Sequence, residues 1–352
     1  MWLKKPVIIL LLVCVAVAGL IYQLLLPRWL TELTAAEQQR IMELTTNAQL
    51  SAPKQQLDAE RMMADLRWLA DPAREGRAPG TPGGLAARQW LVQQFQQIGL
   101  TPAGSDGYLQ PYQVEEHYQW SRLLRGRNAK IPGVADAANI LGIVPGLDPT
   151  LKPIVITAHY DHLGVHDGKI FAGADDNASG VAALLELARF FKTQPLQHSI
   201  LFIALDSEEK GLQGAVALFR LQLLQPEQLK INVNLDMLSR DTGQVLLAVG
   251  SYHHPWLLPI LEQQQQQSAV KLVAAHDRPW YQAGNVDDYT LSSDHGVFHQ
   301  QGVPFIYFGV PDHPDYHTER DTAEKVDVMF YHQAVESVLG FLQLLDPALK
   351  QL

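Results

Sequence analysis

The sequence predicts an α/β protein, a three-layer α/β/α sandwich around a mixed, mainly parallel central sheet. Short apolar runs alternate along the chain with segments whose apolar residues recur every three or four positions. That alternation is the order expected of strands joined by helices. Residues 199–205 form a continuous apolar run, as is typical of a strand buried on both faces. The chain has 352 residues, of which 47% are hydrophobic, so it can bury one large core.

The first predicted elements lie before residue 100. Apolar residues in 57–69 and again in 85–98 recur close to the helical period. Residues 75–84 between them are rich in glycine and proline, so they must form a loop. Gly99 follows the second segment and is a suitable C-terminal cap for a helix.

The remaining elements follow in regular order. The predicted strands cover residues 108–114, 139–144, 154–158, 199–205, 231–235, 245–249 and 304–308. Helical spacing returns in residues 181–188 and 330–345.

The N-terminal residues 1–28 predict a membrane segment. Lys4 and Lys5 precede an almost uncharged run, residues 7–26, whose length of about 20 residues is that of a bilayer-spanning helix. No small-residue exit follows, which favours an uncleaved signal-anchor over a cleaved signal peptide.

The orientation of this segment predicts where the rest of the chain lies. Lysines before the apolar run keep the N-terminus in the cytoplasm. We therefore expect an exported body, anchored in the inner membrane and facing the periplasm. A cleaved signal peptide would instead give a soluble periplasmic or secreted protein. Residues 29–56 are predicted to be a helical stalk or linker, or a helix lying on the body, and residues 57–352 a single domain.

Composition excludes some functions. The formal net charge is −10 and the soluble part has no long basic run, which argues against nucleic-acid binding. Cys14 is the sole cysteine, so neither an intrachain disulfide nor a cysteine-based zinc cluster can form.

Polar residues with metal-binding side chains follow the predicted strands. His159 comes directly after the strand 154–158, at the edge of the sheet where α/β proteins bind ligands. Asp161 could orient its imidazole by accepting the second ring N–H. Asp175 lies in the block GADDNASG behind a glycine, and its two carboxylate oxygens could bridge two metal ions.

Two adjacent glutamates, Glu208 and Glu209, follow the buried strand 199–205. Adjacent side chains diverge, so one carboxylate can bind a metal ion while the other addresses a water molecule. Further ligands come later in the chain, with Asp236 at a strand exit and His317 in a proline-rich loop. Together these residues form a mixed nitrogen and oxygen set that suits zinc.

The order of these motifs resembles that of the M28 family of zinc aminopeptidases. The family pattern H-x-D, G-A-D-D-N-x-S-G, S-E-E-x-G-L-x-G, N-x-D-M, S-D-H and H-T-x-x-D-T is present in this order. The resemblance extends from about residue 65 to the C-terminus, and Gly76 and Arg77 resemble the family's N-terminal lead-in. It implies a zinc-dependent exopeptidase-like fold, with residues 57–352 as an M28-like peptidase domain. The connection before Asn139 is too short for the protease-associated insert of some relatives.

Carried over to this chain, the resemblance implies a site for two zinc ions. Asp175 would bridge the two ions. His159 and Asp236 would complete one metal, and Glu209 and His317 would complete the other.

The resemblance also implies catalytic and supporting residues. Glu208 would be the general base, which takes a proton from the metal-bridging water and passes it to the leaving amine. Asp161 would be the partner of His159, and Asp294 and His295 would support the site or contact the substrate. The implied substrate is a peptide with a free N-terminal amine.

Two other functions are open to the same pattern. A glutaminyl cyclase resembles the same fold and uses a single zinc ion, although the block GADDNASG is more similar to the peptidases. A receptor-like ectodomain that keeps the fold without catalysis is the other alternative. Its relatives usually lose metal ligands, whereas this sequence retains the set.

Overall fold

The computed structural model of the chain describes residues 13, 14, 19, 23, 26–115 and 133–351. The expected membrane segment, residues 1–28, lies largely outside these described residues. Within the described ranges, no helix combines the length and apolar character needed to cross a membrane.

The secondary structure alternates between strands and helices. The helices are α1 (Leu26–Asn47), α2 (Ala59–Leu69), α3 (Pro82–Ile98), α4 (Gly180–Thr193), α5 (Gln213–Arg220), α6 (Leu258–Gln265), α7 (Trp280–Ala283), α8 (His295–Gln300) and α9 (Val328–Leu349). The strands are β1 (Thr101–Pro102), β2 (Leu109–Glu115), β3 (Gly133–Val144), β4 (Ile154–His159), β5 (Gly164–His166), β6 (Lys169–Phe171), β7 (Ile200–Leu205), β8 (Ile231–Leu235), β9 (Val245–Val249), β10 (Lys271–Ala274) and β11 (Phe305–Gly309).

Nine strands of the described part form one mixed sheet in the order β1-β3-β7-β4-β8-β11-β9-β10, with β2 paired to β3. The centre, β7-β4-β8-β11, is parallel. Antiparallel pairs join β3 to β7 on one side and β11 to β9 on the other. The predicted α/β sandwich with a mixed sheet is therefore confirmed. The short strands β5 and β6 form a separate hairpin.

Alternation along β4 shows how the sheet builds two cores. Ile154, Ile156 and Ala158 belong to the core beneath α2, α3, α4, α6 and α9, whereas Val155 belongs to the core beneath α5 and α8 on the opposite face. Successive side chains of a strand point to opposite faces, so a continuously apolar strand requires helices on both sides.

Helix α3 begins at Pro82, inside the predicted loop 75–84, and ends at Gly99 as predicted. Thr81 accepts a hydrogen bond from the backbone N–H of Gly84, and Pro82 occupies the first turn, where its missing N–H costs nothing. Gly99 ends the helix with φ of 77°, a left-handed conformation that glycine adopts without strain.

Helix α1 lies on the body of the protein. Ile41 packs against the apolar cluster that β9, β10 and β11 form on one face of the sheet. The prediction for residues 29–56 was a stalk, a linker or a helix lying on the body; in the structure the helix ends at Asn47 and contacts the body through Ile41. Strand β10 was not predicted, because its four residues are short and partly exposed at the sheet edge.

Candidate metal centre

The candidate centre lies at the carboxyl ends of the parallel strands. His159 is the last residue of β4, and Asp236 directly follows β8. Glu209 lies in the turn after β7, and His317 lies in the loop after β11. Because neighbouring parallel strands end at the same edge of a sheet, these four residues converge there, as the sequence predicted.

The first ligand group consists of His159, Asp176 and Asp236. Nε2 of His159 lies 3.3 Å from Oδ1 of Asp176 and 3.3 Å from Oδ1 of Asp236. All three residues are buried. One imidazole nitrogen and two carboxylate oxygens at this spacing form a suitable set of ligands for a zinc ion.

The second ligand group shares Asp176. Oδ2 of Asp176 lies 3.0 Å from Nε2 of His317, and the same nitrogen is 3.3 Å from Oε2 of Glu209. A further imidazole, that of His162, places Nδ1 2.8 Å from Oε1 of Glu209 and 3.7 Å from Oδ2 of Asp176. His162, Asp176 and Glu209 therefore form a second possible metal-binding set.

Asp175, the residue expected to bridge the two metals, lies outside both groups. Its Oδ1 accepts a hydrogen bond from the backbone N–H of Ser239 at 2.7 Å, and its Oδ2 lies 3.0 Å from Nε2 of His313. The backbone N–H groups of Asp175 and Asp176 both donate to the carboxylate of Asp321. The geometry corrects the expectation by one residue, since the carboxylate shared by both groups is that of Asp176.

Asp161 contributes in a different way from the one expected. Nδ1 of His159 lies 3.2 Å from the backbone carbonyl oxygen of Asp161 and 3.7 Å from its carboxylate. The carboxylate instead accepts hydrogen bonds from the backbone N–H groups of Glu208 at 3.0 Å and Glu209 at 3.3 Å. Asp161 therefore holds the imidazole through its main chain and the glutamate turn through its side chain.

Glu208 lies beside the ligand groups without belonging to either of them. Burial raises the pKa of Glu208 well above its usual value. The charge of Asp294 adds to this effect, and His159 opposes it. A carboxyl group with a raised pKa is suited to accepting a proton and giving it up near neutral pH.

Asp294 is fully buried, and neither of its carboxylate oxygens has a hydrogen-bond partner. Burial raises its pKa to about 8, with His159 opposing and Asp161 and Asp236 adding to the effect. The hydroxyl oxygen of the preceding residue, Ser293, accepts a hydrogen bond at 2.9 Å from the side-chain amide of Asn234, two residues before Asp236. Asp294 is thus a buried carboxyl group near the first ligand group.

His295 lies in an aromatic environment and belongs to neither ligand group. Its ring stacks on Phe305 with centroids 5.1 Å apart, and its Nε2 lies 2.8 Å from the carbonyl oxygen of Tyr289. Burial lowers the pKa of His295 to about 3, so its imidazole is neutral. Its contacts are those of a residue that supports the wall of the site.

Backbone conformation at the centre is unusual. Ser207, Met237 and His317 have φ angles of 61°, 61° and 53°, in the left-handed region that residues other than glycine rarely adopt. Each of these residues is a candidate ligand or lies next to a residue of the centre. Such conformations cluster at functional sites, where the surrounding structure holds them.

Arg77 lies beneath the centre and is fully buried. Its guanidinium group donates to the backbone carbonyl oxygens of Leu69, Tyr160, Ala172 and Gly173. Burial lowers its pKa to about 10, and the nearby carboxylates of Asp176 and Asp161 oppose that effect. The side chain therefore ties together the loops that present His162 and Asp176.

The chemistry of the donors fits bound cations. In the described part of the chain, the ion pairs of Asp176, Asp236 and Glu209 are all with histidines. Nε2 of His162 is buried without a hydrogen-bond partner, and Nδ1 of His162 and Oε1 of Glu209 lie 2.8 Å apart without the geometry of a hydrogen bond. Buried polar atoms are normally paired, so these atoms are consistent with metal ligands.

The carboxylates of the centre favour the protonated form of the histidines beside them. Burial alone would lower the pKa of His317, but the carboxylates of Asp176 and Glu209 raise it to about 10. Burial likewise opposes the shift of His159, whose pKa Asp236, Asp161 and Asp176 raise well above its usual value. Metal binding would displace these protons, because a histidine ligand must be neutral at the coordinating nitrogen.

Fold and centre together define a class, the α/β proteins with a paired metal-binding site at the carboxyl ends of a central sheet. Residues 139–342 match the model of peptidase family M28. The chain belongs to this family, and the predicted resemblance is confirmed.

The chain is similar to several characterised proteins. It is 30% identical over 215 residues to aminopeptidase YwaD of Bacillus subtilis (strain 168), a match that covers 57% of this chain and 43% of the relative. The chain thus spans less than half the length of that relative. The solved structure of BSAP, a zinc aminopeptidase from Bacillus subtilis, matches with a TM-score of 0.61 and 18% identity, over 81% of this chain and 94% of that one.

A glutaminyl cyclase shares the fold as well. The structure of the Porphyromonas gingivalis enzyme matches with a TM-score of 0.64 and 20% identity, over 83% of this chain and 99% of that one. At these identities the structural matches establish the fold only.

Two residues of the centre were missed from the sequence. Asp176 was passed over in favour of its neighbour, and His162 was assigned no role although it stands in the same block as His159 and Asp161. The sequence signal for His162 was its position three residues after His159, in the loop that follows a predicted strand.

Proposed function

We propose that the chain is a zinc-dependent aminopeptidase that binds two zinc ions. Asp176 would bridge them, His159 and Asp236 would complete one ion, and Glu209 and His317 would complete the other. The observation that carries the proposal is the single Asp176 carboxylate, whose two oxygens face different ligand groups, with Oδ1 3.3 Å from His159 and Oδ2 3.0 Å from His317.

The chain's own residues supply the proton transfers. When bound, zinc ions polarise a carbonyl oxygen and lower the pKa of a coordinated water molecule. Glu208 accepts a proton from the attacking water and delivers it to the leaving amine, a role that its raised pKa supports. Asp161 holds the backbone of Glu208 in place through its 3.0 Å hydrogen bond.

The names of the relatives support peptides with a free N-terminus as substrates. Aminopeptidase YwaD and BSAP are both aminopeptidases by name. The donor set of His159, Asp176 and Glu209 favours zinc over magnesium, because magnesium prefers an all-oxygen set.

A panel of fluorogenic aminoacyl substrates tests this proposal. We expect hydrolysis that a chelator abolishes and that added zinc or cobalt restores. Glu208→Ala should retain the zinc of the wild type, since Glu208 is not a ligand, while kcat falls by about 10²- to 10⁴-fold. Full activity of this variant would rule out the role of Glu208.

Glutaminyl cyclase activity is the second candidate, favoured by the structural match to the Porphyromonas gingivalis enzyme. A cyclase would release ammonia from a peptide with N-terminal glutamine. Zinc content of one ion per chain together with ammonia release would replace the peptidase proposal. Retained zinc with no turnover on either substrate class would instead indicate a receptor-like protein.

We also propose that residues 1–28 anchor the chain in the inner membrane, with the peptidase domain in the periplasm. The support is the uncharged run 7–26 behind Lys4 and Lys5. Alkaline carbonate should leave the full-length protein in the membrane fraction, and added protease should reach the domain in spheroplasts. A mature N-terminus beyond residue 26 would show that the segment is a cleaved signal peptide.

A further inference from the structure

Helix α1 packs on the domain with one narrow face. Leu30, Thr34, Glu37 and Ile41 follow one another at spacings of three and four residues, so they lie on the same side of the helix. Glu37 is only 3% exposed, although a glutamate in a surface helix normally points to solvent. This face therefore makes contacts that require a buried carboxylate.

The partner of this face is the segment 276–294, which we name the site loop. The hydroxyl oxygen of Thr34 accepts a hydrogen bond from the backbone N–H of Asn285 at 2.8 Å. The carboxylate of Glu37 accepts hydrogen bonds from Arg40 in its own helix and, at 3.4 Å, from Arg278 in the site loop.

Close approach and aromatic packing complete this contact. The ring of Trp280 meets that of Trp29 edge to face, with centroids 6.3 Å apart. A Cβ atom at Gly284 would lie 2.2 Å from the hydroxyl oxygen of Thr34 and 2.7 Å from the carbonyl oxygen of Leu30. Glycine therefore allows the loop backbone to lie directly against the helix.

The other end of the site loop touches the metal centre. The hydroxyl oxygen of Ser293 accepts a hydrogen bond at 2.9 Å from the side-chain amide of Asn234, two residues before Asp236, and the carboxyl group of Asp294 is buried. Tyr289 packs 6.5 Å from the ring of Tyr307, whose hydroxyl donates to the backbone carbonyl oxygen of Asp236 at 3.1 Å. One short loop thus joins the helix face to a proposed zinc ligand.

Other contacts hold the ends of the loop, where the backbone N–H of Tyr289 donates to the carbonyl oxygen of His276 at 2.7 Å and Nδ1 of His276 lies 3.0 Å from the carbonyl oxygen of Asp287. Asp277 fixes its beginning by accepting hydrogen bonds from the backbone N–H groups of Gly250 and Tyr252. Beyond that point, the side chain of Gln282 donates to the hydroxyl of Tyr252 at an exposed position. The contacts with α1 are therefore a main restraint on residues 278–286.

We propose that α1 braces the site loop against the metal centre, with Thr34 and Glu37 as positioning residues. The inference rests on the proposed peptidase function and assigns the braced loop as a wall of the substrate cleft, because the loop reaches Asp236 through Tyr289 and Tyr307. Weaker contacts between α1 and the site loop raise the free energy needed to order the loop when a substrate binds. KM therefore rises, while the metal ions and Glu208 stay in place.

A pair of matched double variants tests the brace. Thr34→Val/Glu37→Gln removes the acceptor for Asn285 and the charge facing Arg278. Thr31→Val/Glu32→Gln is the control. Thr31 bonds the carbonyl four residues back as Thr34 does, and Glu32 pairs with Arg28 in the same helix, but both are exposed.

Two measurements are made on the zinc-loaded, full-length variants. KM of Thr34→Val/Glu37→Gln should rise about fivefold to 50-fold, because the loss of a buried polar contact shifts a local equilibrium by about that factor. The kcat of this variant should change less than about threefold. Amide hydrogen exchange in peptides covering 276–294 should become faster by a similar factor. The control should match the wild type in both.

Unchanged KM and exchange in the Thr34→Val/Glu37→Gln variant would overturn the proposal, as would an equal effect in the control. Loss of zinc would also overturn it, because α1 would then support the centre itself. If the double variant does not fold, Trp29→Ala, which removes a partly exposed ring, is measured in the same way. Hydrogen exchange needs no substrate, so it tests the contact between α1 and the site loop even if the protein has no peptidase activity. Absence of that activity would refute only the proposed function.

Discussion

Asp175 and Asp176 are neighbours in the chain, yet their carboxylates have separate partners. Asp175 accepts from the backbone N–H of Ser239 at 2.7 Å, whereas Asp176 lies between the imidazoles of His159 and His317. The turn that begins at Gly173, with φ of 57°, directs the two side chains differently. One aspartate shapes the loop and the other serves both ligand groups.

This difference predicts opposite results for two isosteric substitutions. Asp176→Asn should lose zinc from both groups, because the amide cannot offer two anionic oxygens to two ions. Asp175→Asn should keep the zinc and lower the free energy of unfolding by about 1–2 kcal/mol, since it weakens the bonds to Ser239 and His313. Zinc per chain by mass spectrometry and urea unfolding measure the two effects. Two zinc ions retained in Asp176→Asn would return the bridging role to Asp175.

The two imidazoles beside Glu209 give a second prediction. His317→Ala should release one zinc ion and leave the other, because His159, Asp176 and Asp236 stay intact. His162→Ala should weaken the same site by about 10- to 100-fold in zinc affinity without emptying it, the usual effect of losing a supporting residue. Competition with a chelator measures both affinities. If His317→Ala held two zinc ions tightly, His162 would take its place as the ligand.

The sequence predicted the fold from features that act locally. The continuous apolar runs of β4 and β7 require cover on both faces, and Gly99 marks the end of α3. Because parallel strands end at one edge, the positions of His159 and Asp236 after predicted strands were sufficient to place them together.

The features that were missed depend on the course of the backbone after those strands. Periodicity does not apply within a turn, so the sequence offered no means to choose between Asp175 and Asp176, or to direct His162 toward Glu209. The docking of α1 depends on Glu37 meeting Arg278, which is distant in sequence. Such contacts become visible only when the whole chain is folded.

Arg77 provides a prediction about stability. Its guanidinium group satisfies four buried carbonyl oxygens in loops around the centre. Arg77→Met should lower the free energy of unfolding by about 3–5 kcal/mol, because those oxygens lose their donors in a buried setting. Arg77→Lys, with one ammonium in place of the planar fork, should recover only part of the loss. Urea unfolding of the zinc-loaded proteins should give the highest unfolding free energy for the wild type, then Arg77→Lys, then Arg77→Met. Equal stability of the wild type and Arg77→Met would contradict this prediction.

The histidines near Phe305 give a prediction about pH. Burial lowers the pKa of His254 to about 4, and His253 and His299 beside it add to the shift. Its Nε2 is buried without a hydrogen-bond partner. An unfolded histidine titrates near 6.5, so protonation favours the unfolded chain as pH falls from about 6.5 toward 4. The stabilisation from the neutral ring is complete above pH 6.5 and is lost over that range.

His254→Phe should reduce this pH dependence. Phenylalanine does not titrate, and it can keep the edge-to-face contact with Phe305, where the ring centroids are 5.4 Å apart. Between pH 7.5 and 5.0, the variant should lose about 1 kcal/mol less unfolding free energy than the wild type, a value reduced for the ring's partial exposure. Urea unfolding at the two pH values, on proteins treated identically with zinc, gives the difference. Equal losses in both proteins would show that His254 is already protonated in the folded state at pH 5.0, or that its environment does not disfavour the charge.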